Sequence, residues 1–391
     1  MVGGKPLRGI KIVEFTHAVM GPACGMILAD LGAEVAYVEP PEGSPTRRLK
    51  GFGSGYFPYF GRSKKSLTLN LKKPEGHQLA VYLLQKADVL VENFAPGTME
   101  RLGLCYRDLK VSCPKLIYCS LKGFLSGPYE DRVALDEVVQ MMGGLAYMTG
   151  PRGNPLRAGT SVVDITGGMF GVIGILAALR KRDETGQGCH LASSLFETTA
   201  FLMGQHLACS TVSGQEVAPM PERVSAWSIY QVFSTRTDPI FIGVISDKHW
   251  KSFCKAFDFT DFAQDVRFMT NNLRIDHREI LLPKIKEKLC QMTFEEVSAR
   301  ALAARIPFAP ISKPEDLFDD PQLNEGGFEW VEFPDGKRGK QPRLPLEFGG
   351  ERVGVEAPSP ALGAHQKQIF QNWLGIDSKT FDQWEKKGAF L

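Results

Sequence analysis

The first third of the chain alternates short apolar runs with helix-like segments, and this alternation restricts the fold more than any other feature. The intervening segments, for example residues 22–33 and 73–87, have the length and pattern of helices. The strand-like runs span residues 9–15, 34–40, 65–71, 88–94 and 115–124. Strands spaced by helices of this length predict βαβ units and a mostly parallel sheet. Such sheets bind ligands beyond the carboxyl ends of their strands, so we expect the functional residues in the loops there.

The composition and the predicted secondary structure change after about residue 210. A polar segment with prolines comes first, and a hairpin-like pair of strands is predicted over residues 228–246. Charged amphipathic helices such as 294–305 follow, and residues 309–323 have the composition of a linker. We therefore expect a second, smaller unit in the middle of the chain.

The composition argues against several classes of partner. Lys and Arg total 46 against 44 for Asp and Glu, so a net charge of +2 gives no global attraction to nucleic acid or to a membrane. The 8 cysteines include no CxxC pair, which favours reduced thiols over a disulfide framework. The first residues lack the apolar stretch of a signal peptide, and the longest uncharged apolar run, residues 165–179, is short for a bilayer span. We expect a cytoplasmic protein without a nucleic-acid or membrane partner.

Common cofactor, metal and nucleophile motifs are missing from the sequence. The first predicted strand is followed by "THAVMGPACG", which is not G-x-G-x-x-G, and neither a phosphate loop nor H-E-x-x-H occurs. The 7 histidines lack metal-ligand spacing. The segment "GFGSGYF" departs from G-x-S-x-G because Phe52 and Tyr56 stand at the glycine positions. We therefore predict neither a metal site nor a tightly bound cofactor.

Asp164 stands immediately before the uncharged, glycine-containing segment 165–179, which is predicted to form a buried helix. One role for an acid at that position is to cap the helix, since Asp accepts hydrogen bonds from free N–H groups there. Another is to act as a nucleophile beside those same N–H groups. The segment alone leaves both roles open, and capping is the commoner one.

Five stretches in the first half of the chain carry a resemblance to a known family. In order they are "EFTHAVMGPACGMILADLGAEV", "FGRSKKSLTLNLKKPEG", "ADVLVENFAPGTMERLG", "LIYCSLKGFLSGPYEDR" and "GTSVVDITGGMFGVIGILAALRKRDETGQG". Together they resemble the family III CoA-transferases, which include formyl-CoA transferase and carnitine CoA-transferase. The resemblance implies an α/β fold with a Rossmann-like large domain, a smaller α+β domain and an interlocked homodimer. The expected boundaries are 1–210 for the first segment of the CoA-binding large domain, 225–315 for the small domain and 325–391 for the segment that returns.

The same resemblance assigns a reaction to Asp164, which matches the catalytic aspartate of the family. It implies that CoA moves from an acyl-CoA thioester to a free carboxylic acid through an aspartyl mixed anhydride and an aspartyl-CoA thioester. A carboxylate suits this exchange because its thioester matches that of the substrate in energy. Asp136 would orient Asp164, although an ordinary acid on a surface helix accounts for it equally well. Gly167 and Gly168 would let backbone N–H groups approach the developing oxyanion.

Eight further residues match positions that bind CoA in the family. Most of these residues also fit a structural role that does not involve CoA. Residues 16–22 could form a tight turn, Leu69 could be a core side chain, and Arg101 and Lys122 could be solvated charges. Pro40 replaces an arginine that contacts adenosine in formyl-CoA transferase, and no glycine-run loop is found in the predicted small domain. The eight are His17, Ala18, Val19, Leu69, Asn93, Phe94, Arg101 and Lys122.

Two other functions would make different demands on residues 135 and 164. A related acyl-CoA racemase would need a histidine where this chain has Leu135, and a non-catalytic CoA-binding protein would not need Asp164. Small polar or dicarboxylic acids are the expected substrates, with succinyl-CoA as a candidate donor. A second carboxylate calls for a cation, and the candidates are Arg47, Arg48, Arg157 and Arg223.

Overall fold

The computed structural model describes residues 5–333 and 335–390. The chain divides into two compact units. The larger comprises Met1–Pro221 and Pro321–Leu391, and the smaller is Glu222–Asp320. The larger unit is therefore assembled from two separate segments of the chain.

The first segment of the larger unit alternates strands and helices as the sequence predicts. Short 3-10 turns at Pro45–Arg48 and Gly51–Gly55 interrupt the alternation after the second strand. The elements are β1 (Lys11–Phe15), α1 (Met20–Asp30), β2 (Glu34–Glu39), α2 (Tyr56–Phe60), β3 (Lys65–Thr68), α3 (Pro74–Lys86), β4 (Val89–Glu92), α4 (Thr98–Arg101), α5 (Tyr106–Leu109), β5 (Ile117–Lys122), α6 (Asp136–Met142), α7 (Leu145–Thr149), α8 (Val162–Thr185), β6 (His190–Ser194), α9 (Leu195–Leu202) and α10 (Gly204–Ser213).

The smaller unit has an α+β architecture with its own apolar core. Its three strands form an antiparallel sheet in the order β7-β8-β9. The elements are β7 (Ile229–Phe233), β8 (Ile240–Val244), α11 (Asp247–Ala256), α12 (Thr260–Gln264), α13 (Asn271–Asp276), α14 (Arg278–Leu289), α15 (Phe294–Ala303) and β9 (Phe308–Pro310), with 3-10 turns at Val266–Phe268 and Pro314–Asp319.

The returning segment adds two short hairpins and two helices to the larger unit. These are α16 (Pro321–Asn324), β10 (Phe328–Glu332), β11 (Arg338–Pro342), β12 (Glu347–Phe348), β13 (Glu351–Arg352), α17 (Gln366–Leu374) and α18 (Ser378–Lys386). Ile369 and Phe370 of α17 are fully buried in the core on one face of the large sheet.

The central sheet of the larger unit has six parallel strands in the order β3-β2-β1-β4-β5-β6. Val13 and Leu90 point to the face that α3 and α17 cover, whereas Ile12 and Val91 point to the face that α1 and α8 cover. Helices on both faces of a parallel sheet define a doubly wound α/β fold. The predicted fold class is therefore confirmed, and the strand order reverses between β1 and β4.

Helix α8 is less buried than the sequence suggests. It extends over 24 residues, and its 18-residue apolar window has a mean hydropathy of 2.0, so by length and composition it could cross a bilayer. Only 44% of that window is buried within the chain. The inner face packs on α1 and the sheet, while Met169, Ile173 and Leu176 remain 39–57% exposed on the outer face. The prediction of a buried helix therefore holds for the inner face only, because the apolar residues occupy both faces.

Candidate active site

The loops after β1 and β4 meet where the strand order reverses, which is where doubly wound sheets bind ligands. The Asn93 side chain accepts a hydrogen bond from the His17 N–H and donates one to the His17 carbonyl, both at 2.9 Å. Ala18 has a left-handed backbone (φ 60°), and its N–H donates to the Thr46 hydroxyl at 3.0 Å. The His17 ring lies against Phe94, with centroids 5.8 Å apart. The structure thus brings four of the predicted CoA-binding residues together where these two loops meet.

Burial lowers the pKa of His17 below its usual value, although the hydrogen bonding with Asn93 opposes the shift. The imidazole is therefore neutral at physiological pH and adds no positive charge to the turn. Val19 is buried in a small apolar cluster that Ile165 of α8 also contacts. The turn after β1 therefore lies beside the first turn of α8, which carries Asp164.

The neighbouring strands β2, β1 and β4 each carry a buried glutamate as their last or second-last residue, and each glutamate is paired with a cation. The Lys122 ammonium also donates to the Phe94 carbonyl at 3.1 Å, so its charge is already compensated by protein groups. Lys122 thus supports the Phe94 loop, and its contact with CoA stays a prediction. The pairs are Glu14–Lys64 at 2.8 Å, Glu39–Arg47 at 2.6 Å and Glu92–Lys122 at 2.7 Å.

The Glu14–Lys64 pair lies directly beneath the turn after β1. Lys64 also donates to the Pro22 carbonyl at 2.9 Å, and Glu14 accepts from the Thr16 hydroxyl. One carboxylate oxygen of Glu14 is buried without a hydrogen-bond partner among the described residues. Because both groups are removed from water, burial raises the pKa of Glu14 and lowers that of Lys64. The pair ties β1, the segment before β3 and the start of α1 together.

Asp136, and not Asp164, satisfies the free N–H groups at the start of α8. One oxygen of the Asp136 carboxylate accepts from the Val163 and Asp164 N–H groups at 2.9 and 3.0 Å. Gln140 donates to the other oxygen, and its own carbonyl accepts from the Ala158 N–H at 2.9 Å. The capping role considered for Asp164 therefore belongs to Asp136, a residue 28 positions earlier in the chain.

The Asp164 carboxylate accepts no hydrogen bond from the part of the chain that the structure describes. Burial, and then the negative charges of Asp136 and Glu137, raise the pKa of Asp164 to about 7. A carboxylate destabilised in this way is more basic, and so more nucleophilic, than one in water. Shifted pKa values of this kind are typical of functional sites.

Gly167 and Gly168 have a different role from the one predicted. Both lie inside α8 beyond its first four residues, where N–H groups bond within the helix and cannot stabilise an oxyanion. A Cβ on Gly168 would lie 2.7 Å from the Met20 carbonyl oxygen, and a Cβ on Gly167 would lie 2.7 Å from the Met20 side chain. These glycines let α8 approach α1 more closely than any side chain would allow.

The remaining candidate residues have different surroundings in the structure. Leu69 is buried in the sheet core, so its side chain has the ordinary role. Arg101 donates to the Thr98 hydroxyl at 2.8 Å, Arg157 pairs with Glu137 at 3.2 Å, and Arg223 belongs to the smaller unit. Within residues 5–333 and 335–390, no group of three or more metal-ligating side chains is found.

Sequence reasoning missed the supporting residues Glu14, Thr46, Lys64 and Gln140. Each acts through a partner that is distant in the sequence, so local spacing gives no signal for it. The three glutamates at strand ends were a signal that could have been used, because an acid at the end of an apolar strand requires a buried partner.

The chain is similar to known proteins over nearly its whole length. The model of CoA-transferase family III matches residues 7–366. A succinate–glutarate CoA-transferase of Agrobacterium fabrum is 32% identical over 93% of this chain and 94% of its own, and a human succinyl-CoA:glutarate CoA-transferase is 30% identical over 98% and 90%. A CAIB/BAIF family protein from Brucella suis has a TM-score of 0.82 at 32% identity, covering 95% of this chain and 100% of its own. The chain belongs to CoA-transferase family III.

Proposed function

We propose that Asp164 is the nucleophile through which this CoA-transferase moves CoA between carboxylic acids. The observation that carries the proposal is a carboxylate without a hydrogen-bond partner in the described chain, whose pKa is raised to about 7, at the start of a helix that another acid caps. A structural aspartate in that position would be expected to cap the helix itself.

The reaction has four covalent steps. An Asp164 oxygen bonds to the thioester carbonyl carbon and the C–S bond breaks, giving a mixed anhydride and CoA thiolate. The thiolate then bonds to the Asp164 carbonyl carbon and expels the donor acid, which leaves an aspartyl-CoA thioester. The acceptor carboxylate attacks this thioester and releases the thiolate. The thiolate finally attacks the acceptor side of the new anhydride, forming the product thioester and regenerating Asp164.

The other residues of the site act by holding Asp164 and the CoA arm. Asp136 is a positioning residue, since it fixes the N-terminus of α8 and its charge keeps Asp164 basic. The turn formed by His17, Ala18 and Val19, together with Phe94, would line the pantetheine arm. CoA enters as the substrate thioester, and no tightly bound cofactor takes part.

Racemase chemistry receives less support from this site. It needs a second acid or base to carry the α-proton on the opposite face. Leu135 stands where that histidine is expected, and Asp136 is occupied by two backbone N–H groups and by Gln140. The combination favours acyl transfer through one carboxylate.

We propose succinyl-CoA as the donor and short dicarboxylic acids as the acceptors. The support comes from relatives of nearly full-length coverage, which are named for succinate, glutarate, D-citramalate and mesaconate. With succinyl-CoA in excess, dicarboxylic acids of three to five carbons should react at least about tenfold faster than monocarboxylic acids of the same length. A site built to bind a polar group rejects analogues that lack it. Chromatography of the acyl-CoA products measures both rates, and equal rates would contradict the proposed acceptor class.

We also propose that the protein is a homodimer. Its interlocked form remains an implication of the family resemblance. Support comes from the outer face of α8 and from the adjoining α9 and α10, where Ile173, Phe201 and Leu207 are 57–69% exposed. Apolar surface of this kind indicates an interface.

The 8 cysteines are unpaired, which supports a reducing compartment such as the cytoplasm.

Light scattering after size exclusion should give twice the chain mass for the wild-type protein. Ile173→Lys should yield a monomer or an aggregate, because it places a charge in the proposed interface. Val111→Lys is the matched control, since Val111 is exposed on a different part of the larger unit. It should stay dimeric. A wild-type monomer, or wild-type protein that co-sediments with lipid vesicles through α8, would overturn this proposal.

A further inference from the structure

Two adjacent arginines after β2 have opposite electrostatic surroundings. Arg47 is neutralised by a bidentate pair with buried Glu39, and its guanidinium lies 3.8 Å from the centre of the Phe57 ring. Arg48 is exposed and donates to the carbonyls of Glu42 and Gly43, at 2.6 and 3.5 Å. Within the described residues, no carboxylate lies within ion-pair distance of Arg48. Arg48 therefore keeps an uncompensated positive charge.

The position of Arg48 links it to the ligand edge of the sheet. Its guanidinium lies on the tight turn at the carboxyl end of β2, which is closed by the Gly43 N–H and the Pro40 carbonyl at 2.8 Å. β2 is next to β1 in the sheet. Arg48 also shares its 3-10 turn with Thr46, whose hydroxyl holds the Ala18 N–H of the proposed CoA loop.

The chemistry of this arrangement favours an anion with several oxygens. Backbone carbonyls hold the guanidinium in one orientation but do not neutralise it. Its remaining N–H groups are therefore free to donate to an anion, and the group keeps its positive charge. A fixed planar guanidinium can form two parallel hydrogen bonds with a phosphate. Pro40, at the end of the same strand, contributes no charge. On the other side of the reversal, the Arg101 side chain donates to the Thr98 hydroxyl and, among the described residues, forms no ion pair.

We infer that Arg48 binds a phosphate of the nucleotide portion of CoA, from the β2 side of the site. The inference rests on the proposed function, because it takes a CoA thioester as the substrate. It assigns to Arg48 the nucleotide, and not the second carboxylate of the acid.

The test compares CoA with pantetheine, which has the same thiol arm but no phosphate. Calorimetric titration of the full-length protein should show that Arg48→Ala weakens CoA binding by about 10- to 100-fold, as expected for a lost charge-assisted contact. The dissociation constant for pantetheine should stay within about twofold of the wild-type value. Lys50→Ala is the matched control, since it removes an exposed cation two residues away. It should leave both constants nearly unchanged.

Two results would overturn the inference while leaving the transferase intact. One is an equal weakening of CoA binding in Arg48→Ala and Lys50→Ala, which would indicate a general charge effect. The other is unchanged CoA binding in Arg48→Ala combined with a raised KM for the dicarboxylic acid, which would assign Arg48 to the acid. If the wild-type protein binds neither CoA nor pantetheine, the proposed function fails together with the inference.

Discussion

Asp164→Asn should lower CoA transfer by at least about 10⁴-fold, since losses of that order follow removal of a covalent nucleophile. The amide cannot form the anhydride, and the adjacent Asp136 carboxylate is already engaged. Asp136 already accepts two N–H groups of α8 and one hydrogen bond from Gln140. CoA binding should persist in the variant, because Asp164 belongs neither to the turn of His17 nor to the loop of Asn93.

Peptide mapping measures the intermediate directly. Wild-type protein mixed with succinyl-CoA, without an acceptor, and quenched in acid should carry CoA minus one water on the tryptic peptide 158–180, which contains Asp164. Asp164→Asn should carry none. Labelling of a different peptide, or transfer that survives in Asp164→Asn, would contradict the proposed mechanism.

The Asp164 carboxylate also sets the pH dependence of kcat/KM. Since the pKa of Asp164 is about 7 in the folded protein, kcat/KM should rise with pH through 7 and level off above about 8. Asp136→Asn removes a negative charge beside Asp164 and should move this rise to lower pH. A variant that merely distorted the site would lower the rate without moving the profile.

Stability should respond in the opposite direction to activity. The folded-state pKa of about 7 lies above the unfolded value of about 3.9, so ionisation of Asp164 disfavours the folded state at high pH. Asp164→Asn should therefore raise the melting temperature by about 1–4 °C at pH 8. The gain should shrink as the pH falls from 7 toward 4. A variant that is inactive and less stable at pH 8 would mean that the loss of activity reflects misfolding.

Lys64→Met should destabilise the larger unit by about 3–5 kcal/mol, the usual result of leaving one member of a buried ion pair behind. Glu14 is fully buried and would lose its cation, and the Pro22 carbonyl would lose its donor. Denaturant unfolding measures the loss. The neighbouring Lys65→Met is the matched control, because its pair with Glu34 is half-exposed. It should cost less than about 1 kcal/mol.

The double variant Glu14→Gln/Lys64→Met separates charge from packing. With the carboxylate neutralised, about half or more of the lost stability should return, because the largest penalty comes from the unpaired buried charge. If the double variant is no more stable than Lys64→Met, then the Pro22 contact and packing dominate instead. If Lys64→Met and Lys65→Met lower the free energy of unfolding equally, then burial of the Glu14–Lys64 pair makes no difference to its contribution to stability.

The sequence predicts the parts of this molecule that depend on local patterns. Strands β1 to β5 follow from apolar runs, whereas β6 was missed because "HLASS" is short and mostly polar. Asp164 was found from its position before an apolar segment. The cap from Asp136 and the neutralisation of Lys122 were not predictable in this way, because each depends on two elements that meet only after the sheet has formed.

The discontinuous larger unit also has a consequence for biosynthesis. Ala389 and Phe390 are buried in the same core as Leu67 and Leu79, and the Ala389 carbonyl accepts from the backbone N–H of Asn70. On the ribosome, part of the sheet face beside β3 would therefore stay uncovered until residues 366–390 have left the exit tunnel. The contiguous smaller unit can fold while synthesis continues. Nascent chains of this protein would thus expose apolar surface on this face of the sheet until residues 366–390 have emerged, and chaperones could bind them there.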